Sequence, residues 1–286
     1  MKHYIILLLC LLASAGASAK KYELQRCEMN YGDTVRTYTM YIPEGLAKGA
    51  PLVVYAHGYG SKTRSRDDLN AAADRFGFAV CNVDGTPDAK GKDGWKVGYP
   101  GQENMKVDEV HFFRALLDEV CRRFGLSREN VFLAGMSNGG DLCYQFAYTD
   151  PSLFRAYGSV AGLTFECTYN KEHLTVPVPF IEIHGTADDT SSYFGDHDNI
   201  GGWGAYIPVP LAVQAIAANN RCSTLTASKV DSHRPVQHPV TRYHYGNSPS
   251  GADVELIEVY GAPHSWHAKD LDTGTLLWEF FSRYVK

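Results

Sequence analysis

The pentad Gly135-Met136-Ser137-Asn138-Gly139 constrains this chain more than any other stretch. It follows the short apolar run Asn130-Val131-Phe132-Leu133-Ala134 and precedes a run from Gly140 to Tyr148 that reads as a helix. Strand, sharp turn, helix is the context in which a G-x-S-x-G pentad becomes a nucleophile elbow. The turn must be tight for the serine Oγ to project above the sheet. A side chain two residues to either side would collide with the neighbouring strand and helix, so glycine stands at both places. The pentad alone is a modest signal; its position and its companions elsewhere in the chain give it weight.

Those companions repeat one pattern. Leu52 to Ala56 is a continuous apolar run, the mark of a strand buried on both faces. Phe78 to Val83, Ala156 to Val160, Phe180 to Ile183 and Val254 to Tyr260 read as further strands, and Val35 to Ile42 alternates like one. Between them, Asp67 to Phe76, Val107 to Phe124 and Val209 to Asn219 carry apolar residues at helical spacing, and Leu271 to Val285 reads as a closing helix. Strands separated by helices at this spacing imply an α/β fold with a mostly parallel central sheet flanked by helices. In such sheets chemistry gathers at the carboxyl ends of the strands, where His57-Gly58, Ser137 and His184-Gly185 all fall. Asp84 to Met105 reads as a long surface loop near that edge. The less regular stretch from Asp189 to Ser250, with a polar loop from Ser223, is expected over or beside the site.

The N-terminus reads as a secretory signal peptide: Lys2, the apolar run Ile5–Leu12, then Ala17-Ser18-Ala19 as a cleavage site. This predicts removal of residues 1–19, a single catalytic domain over 20–286, and a secreted or periplasmic location. Cys10 follows the bulky Leu9, unlike a typical lipoprotein site, and no later segment is long and apolar enough to span a bilayer. With 27 basic against 32 acidic residues and no basic block, nucleic acid is not an expected partner. Secretion permits disulfides. Cys81, Cys121 and Cys143 fall in predicted strands and helices and read as packed thiols. Cys27, Cys167 and Cys222 read as loop residues, with Cys167–Cys222 the preferred pair among connectivities that spacing leaves open. No CxxC or His/Cys cluster suggests a metal, and no cofactor is implied.

A serine hydroxyl attacks only when a base takes its proton, and the base needs a partner that fixes its tautomer. For a nucleophile on a strand–turn–helix elbow the partners follow in the order Ser, acid, His. Asp188 and Asp189 stand just after Phe180–Ile183, with Asp188 preferred and Asp196 and Asp198 ranked lower. His264, four residues past Tyr260, is the expected base, ahead of His267. His57 and His184 read as loop-shaping, hydrogen-bonding residues. The oxyanion hole should draw on the backbone N–H groups of Asn138 and of Tyr59, in the loop after Ala56. Trp95, Tyr193 and Trp203, with Tyr59, are candidates for an aromatic substrate pocket.

In order along the chain, His57-Gly58-Tyr59-Gly60, Val107-Asp108-Glu109-Val110, Gly135 to Gly140, His184-Gly185-Thr186-Ala187-Asp188 and Pro263-His264-Ser265-Trp266 resemble the secreted esterases of carbohydrate esterase family one. That group contains feruloyl esterases, acetylxylan esterases and polyhydroxybutyrate depolymerases. The resemblance runs from about Val35 to the C-terminus. It implies an α/β-hydrolase fold and a Ser137–His264–Asp188 triad. The chain departs from the pattern in three places. Trp95–Pro100 lacks the cysteine pair of some depolymerase-like members, Gly261-Ala262-Pro263 replaces a glycine run, and Asp189–Trp203 departs from the common Val-Pro-Tyr continuation. All three bear on the substrate rather than the triad. The expected activity is hydrolysis of carboxylic esters through an acyl-enzyme, foremost hydroxycinnamoyl esters on plant polysaccharide. Acetylated xylan and short polyester come next, then acyl transfer or a silent carbohydrate-binding protein. The expected partner is an ester-bearing polysaccharide or a small aryl or alkyl ester.

Overall fold

The computed structural model describes residues 22–61, 65–103 and 105–286; the expected signal peptide and Cys10 lie outside the described residues. The chain enters as an antiparallel pair, β1 (Gln25–Tyr31) and β2 (Thr34–Tyr41). It then alternates: β3 (Leu52–Ala56), α1 (Asp67–Phe76), β4 (Ala79–Val83), a small hairpin of β5 (Thr86–Pro87) and β6 (Asp93–Gly94), α2 (Glu109–Phe124), β7 (Val131–Met136), α3 (Asn138–Thr149), β8 (Tyr157–Val160), the short α4 (Glu166–Lys171), β9 (Phe180–Gly185) and α5 (Val209–Asn219). Two more antiparallel strands, β10 (Thr224–Val230) and β11 (Val240–Gly246), precede β12 (Val254–Val259) and the closing helix α6 (Thr273–Phe281).

Ten of these strands form one sheet, in the order β1-β2-β4-β3-β7-β8-β9-β12-β11-β10. The six in the middle, β4 to β12, run parallel, and two antiparallel strands extend each edge. All five residues of β3 and of β4 are buried, as their unbroken apolar runs require. Helices α2, α3 and α5 cover one face through Phe113, Leu117, Leu142 and Ile216; α1 and α6 cover the other through Leu69, Ala73, Leu277 and Phe281. The expected α/β-hydrolase architecture, a mostly parallel sheet between helices, is the one found.

The helix ends follow local chemistry. Asp108 caps α2 by accepting the His111 N–H at 3.0 Å, and Gly125 ends it in the left-handed region at φ 66°. Gly77 does the same for α1 at φ 78°.

The structure corrects three expectations. The stretch from Ser223 to Ser250 is not one loop: half of it forms β10 and β11 at the far edge of the sheet, and only the turn between them lies beside the loop that carries His264. β10 is almost wholly exposed, so no burial pattern marks it. Cys167 and Cys222 are not paired, and all six described cysteines are free thiols. Cys167 lies on α4, against Gly98 in the loop at the carboxyl edge. Cys222 follows α5 beside Ala252, at the amino ends of β9 and β12. Cys27, read as a loop residue, is a buried strand residue of β1.

Candidate active site

Register sets the site. Ala56, Gly135 and Ser159 are neighbours across β3, β7 and β8, and Gly185 pairs with Val259 across β9 and β12. The segments that follow these strands therefore emerge along one edge of the sheet.

At that edge Ser137 has φ 55° and ψ −121°, between the last residue of β7 and the first of α3. A non-glycine residue at positive φ is held there by its surroundings. Here the Ser137 N–H donates to the Val160 carbonyl and its own carbonyl accepts from the Asp141 N–H, both at 2.8 Å. The flanking glycines are required sterically. A Cβ at Gly135 would overlap the Gly139 carbonyl, and one at Gly139 would overlap the Ala56 carbonyl. Asn138 opens α3, where the first N–H groups of a helix have no partner within it. Its buried side chain is clasped by the Trp95 backbone: Oδ1 accepts from the Trp95 N–H at 2.7 Å and Nδ2 donates to the Trp95 carbonyl at 3.2 Å. Tyr59 follows Gly58, where a Cβ would stand 3.3 Å from Ser137 Cβ, so this loop crosses directly over the elbow. His57 shapes it as expected: Nδ1 donates to the Gly58 carbonyl at 2.8 Å and Nε2 accepts from the Gly85 N–H at 2.9 Å.

Asp188 and His264 meet. His264 Nδ1 lies 2.7 Å from Asp188 Oδ2. An ionised carboxylate only accepts, so Nδ1 carries the proton and Nε2 is left with its lone pair. Asp188 Oδ1 accepts from the N–H groups of Thr190 at 2.9 Å and Ser191 at 2.7 Å. Burial works against the Asp188 charge, but hydrogen bonds from His184 and His264 outweigh it and hold the carboxyl well below its ordinary range. The competing residues sit elsewhere. Asp189 is exposed. His267 is buried beside Ser265 and Asp270, and burial, then the charge of His184, lowers its pKa to about 4. Asp196 turns its carboxylate onto the N–H groups of Ile200 and Gly201.

The aromatic candidates divide. Trp203 is half-buried and stands edge-on to Tyr59, with ring centroids 5.7 Å apart, and 5.2 Å from Tyr99. These three rings, with Asp88, Lys90 and Lys92, line an open cavity of about 280 Å³. Tyr59 donates to Asp88 Oδ2 at 2.6 Å, which fixes its ring. Trp95 and Tyr193 are core residues instead. Trp95 is 0 % exposed, packs on His57 and Phe113, and donates its indole N–H to the His57 carbonyl at 2.8 Å. Tyr193 is 6 % exposed and donates to Glu258 Oε2 at 2.7 Å. Both rings are packed in the core, and neither lines the cavity.

Sequence reasoning missed Glu182 and Asp141, two buried acids behind the site. Glu182 had a legible signal, a carboxylate inside the apolar run Phe180-Ile181-Glu182-Ile183, which must find a partner once buried. Among the described residues no group of three or more His, Cys, Asp or Glu side chains is placed to hold a metal, and no helix is long and apolar enough to cross a membrane.

Comparison with known proteins agrees with this fold. A family model described as Esterase PHB depolymerase matches residues 36–176. A Nocardia uniformis subsp. tsuyamanensis protein named "Putative esterase NocK" is 27% identical over 252 residues, covering 81% of this chain and 70% of that one. Feruloyl esterase B of Neurospora crassa is 26% identical over 164 residues, covering 56% of this chain and only 54% of its own length. The solved acetyl xylan esterase from Aspergillus awamori superposes with a TM-score of 0.60 at 17% identity, over 90% of this chain and 99% of that one, a likeness of fold. The chain is thus a carboxylic ester hydrolase on an α/β-hydrolase fold, similar over residues 36–176 to the Esterase PHB depolymerase family.

Proposed function

We propose that Ser137, His264 and Asp188 form the catalytic triad of a secreted esterase that releases hydroxycinnamoyl groups from plant polysaccharide. The observation that supports the triad most directly is the 2.7 Å contact of His264 Nδ1 with the buried Asp188 carboxylate, on the same sheet edge as the Ser137 elbow. Ser137 Oγ attacks the ester carbonyl carbon while His264 Nε2 takes the hydroxyl proton. The carbonyl oxygen becomes an oxyanion and accepts from the N–H groups of Asn138 and Tyr59. Collapse expels the sugar alkoxide, which takes the proton from His264 and leaves an acyl-enzyme on Ser137. Water, deprotonated by His264, then attacks the acyl carbon and frees the acid. The reaction needs no cofactor.

The acyl preference rests on the cavity beside Tyr59. Its floor of Tyr59, Tyr99 and Trp203 suits a planar aromatic acid, and about 280 Å³ is far more than an acetyl group fills. Acetylated xylan is the second reading, favoured by the fold shared with acetyl xylan esterase. The export signal at residues 1–19 accords with an extracellular polysaccharide, and its removal is checked by the mass of the protein recovered from the medium.

A serine-reactive phosphonate should label the folded wild type at Ser137, and Ser137→Ala should lower kcat by at least about 10³-fold with unchanged melting. Unlabelled Ser137 in active protein would remove the triad. In parallel, methyl ferulate should be turned over with higher kcat/KM than an acetyl ester of equal leaving-group ability; the reverse order selects the acetyl reading.

A further inference from the structure

The acid of the triad has a second histidine behind it. Glu182 and His184 alternate on β9 and so share the face under α3. Both side chains are 0 % exposed. His184 Nδ1 lies 2.9 Å from Glu182 Oε1, and Nε2 lies 2.8 Å from the Ser191 carbonyl oxygen and 3.5 Å from Asp188 Oδ2. A carbonyl oxygen only accepts, and so does an ionised carboxylate, so each ring nitrogen faces an acceptor. A neutral imidazole can supply one N–H; this environment calls for two. A ring closes around the acid: His184 Nε2 to the Ser191 carbonyl, the Ser191 N–H to Asp188 Oδ1, and Asp188 Oδ2 back to His184.

We propose that His184, kept as an imidazolium by Glu182, is a positioning residue of the active site: it clamps Asp188 and its turn from behind and tempers the basicity of His264. The inference rests on Asp188 and His264 being the acid and base proposed above.

The groups around His184 fit this charge. On β9 and the loop after it stand Glu182 and Asp188. Glu258 pairs with His184 across β12 and accepts from Tyr193. From α3 come Asp141, whose pKa burial and then the charge of Glu182 push to about 8, Tyr144, which lies against Glu182, and Cys143; burial raises these last two far above neutrality. Asp141, Tyr144 and Cys143 are therefore mostly protonated near pH 7. The loop after β12 supplies His264 and the neutral His267. Burial opposes a charged His184, but hydrogen bonds to Asp188 and Glu182 outweigh burial and raise its pKa to about 10. Asp188 thus shares its negative charge between two cations whenever His264 is protonated. A positive ring against Asp188 opposes a second positive charge on the same carboxylate.

The test has a spectroscopic arm and a kinetic arm. In wild-type protein labelled with ¹⁵N-histidine, His184 should show both ring N–H groups and no titration from pH 6 to 9. In Glu182→Gln the ring should titrate inside that range, because one of its two anions is gone. A His184 that is neutral at pH 7 in the wild type, or that titrates identically in the variant, overturns the proposal without reference to catalysis. In the kinetic arm, Glu182→Gln/His184→Gln removes both charges together. The acid limb of its kcat/KM profile should move up by about half a pH unit or more, and kcat should fall more than KM changes. A folded double variant with an unmoved limb overturns the proposal. If it does not fold, the spectroscopic arm decides alone. Failure of the triad itself would show differently, as full turnover in Asp188→Asn.

Discussion

Asp188 and Asp189 are adjacent in sequence and take opposite environments. Asp188 is buried, accepts two backbone N–H groups on one oxygen and faces two imidazoles with the other. Asp189 is exposed, and its Oδ1 accepts from the neighbouring Thr190 hydroxyl at 3.4 Å. Asp188→Asn replaces an acceptor with an amide that can present N–H to His264, which would force the lone pair onto Nδ1 and the proton onto Nε2. In the proposed triad His264 would then meet Ser137 with the wrong tautomer, a fault that costs on the order of 10³–10⁴ in kcat. Asp189→Asn should stay within about twofold. Steady-state kinetics of the two variants on one aryl ester checks this, and equal or reversed losses would reassign the acid. The contrast was legible only in part. The place after β9 marks both residues, but only the turn that seats Thr190 and Ser191 N–H groups on Asp188 Oδ1 separates them.

At the scale of elements, the strands of the parallel centre were legible because burial on both faces leaves an unbroken apolar run. The elbow was legible because its two glycines are demanded by backbone overlap with Gly139 and Ala56. β10 and β11 were not, since antiparallel strands at an edge need bury little and Thr224–Val230 is polar along most of its length. The loop aromatics were harder still. Trp95 and Trp203 look alike in sequence, yet Trp95 lies beneath His57 and Trp203 lies beside Tyr59, a difference fixed by contacts 38 residues apart and more. This separation predicts different phenotypes. Trp203→Ala should raise KM for methyl ferulate about tenfold, the loss of one aromatic wall, with kcat and melting little changed. Trp95→Phe keeps a ring but loses the N–H donor to the His57 carbonyl and should lower melting and kcat together. Thermal melts beside Michaelis kinetics distinguish the two. A Trp203→Ala enzyme with unaltered KM would move the acyl group out of the cavity.

Across the whole molecule, buried ionisable groups set a pH window for stability that is separate from the window for activity. His267, with its pKa lowered to about 4, binds a proton in the unfolded chain before it does in the native one. Its contribution is lost as pH falls from about 6.5 towards 4. Asp141 acts at the other end. It is buried in α3, accepting from the Tyr99 hydroxyl at 2.6 Å and the Leu163 N–H at 2.7 Å. Burial lifts its pKa from the ordinary 3.8 to about 8. Between those values the native protein holds a proton that the unfolded chain releases, so stability falls as pH rises across that interval. His184, raised to about 10, contributes fully below about 6.5 and loses its contribution as pH climbs through 10, which is largely above the Asp141 window. Asp141→Asn removes the ionisation and keeps a carbonyl oxygen for the Leu163 N–H. Its Tm should therefore decline less than that of the wild type between pH 5 and pH 9, with a gap of several degrees at pH 9. Calorimetric scans in steps of one pH unit measure the slope directly. Parallel Tm curves over that range would mean that Asp141 is ionised in the native protein throughout, with Tyr99 and Leu163 stabilising the carboxylate against its burial.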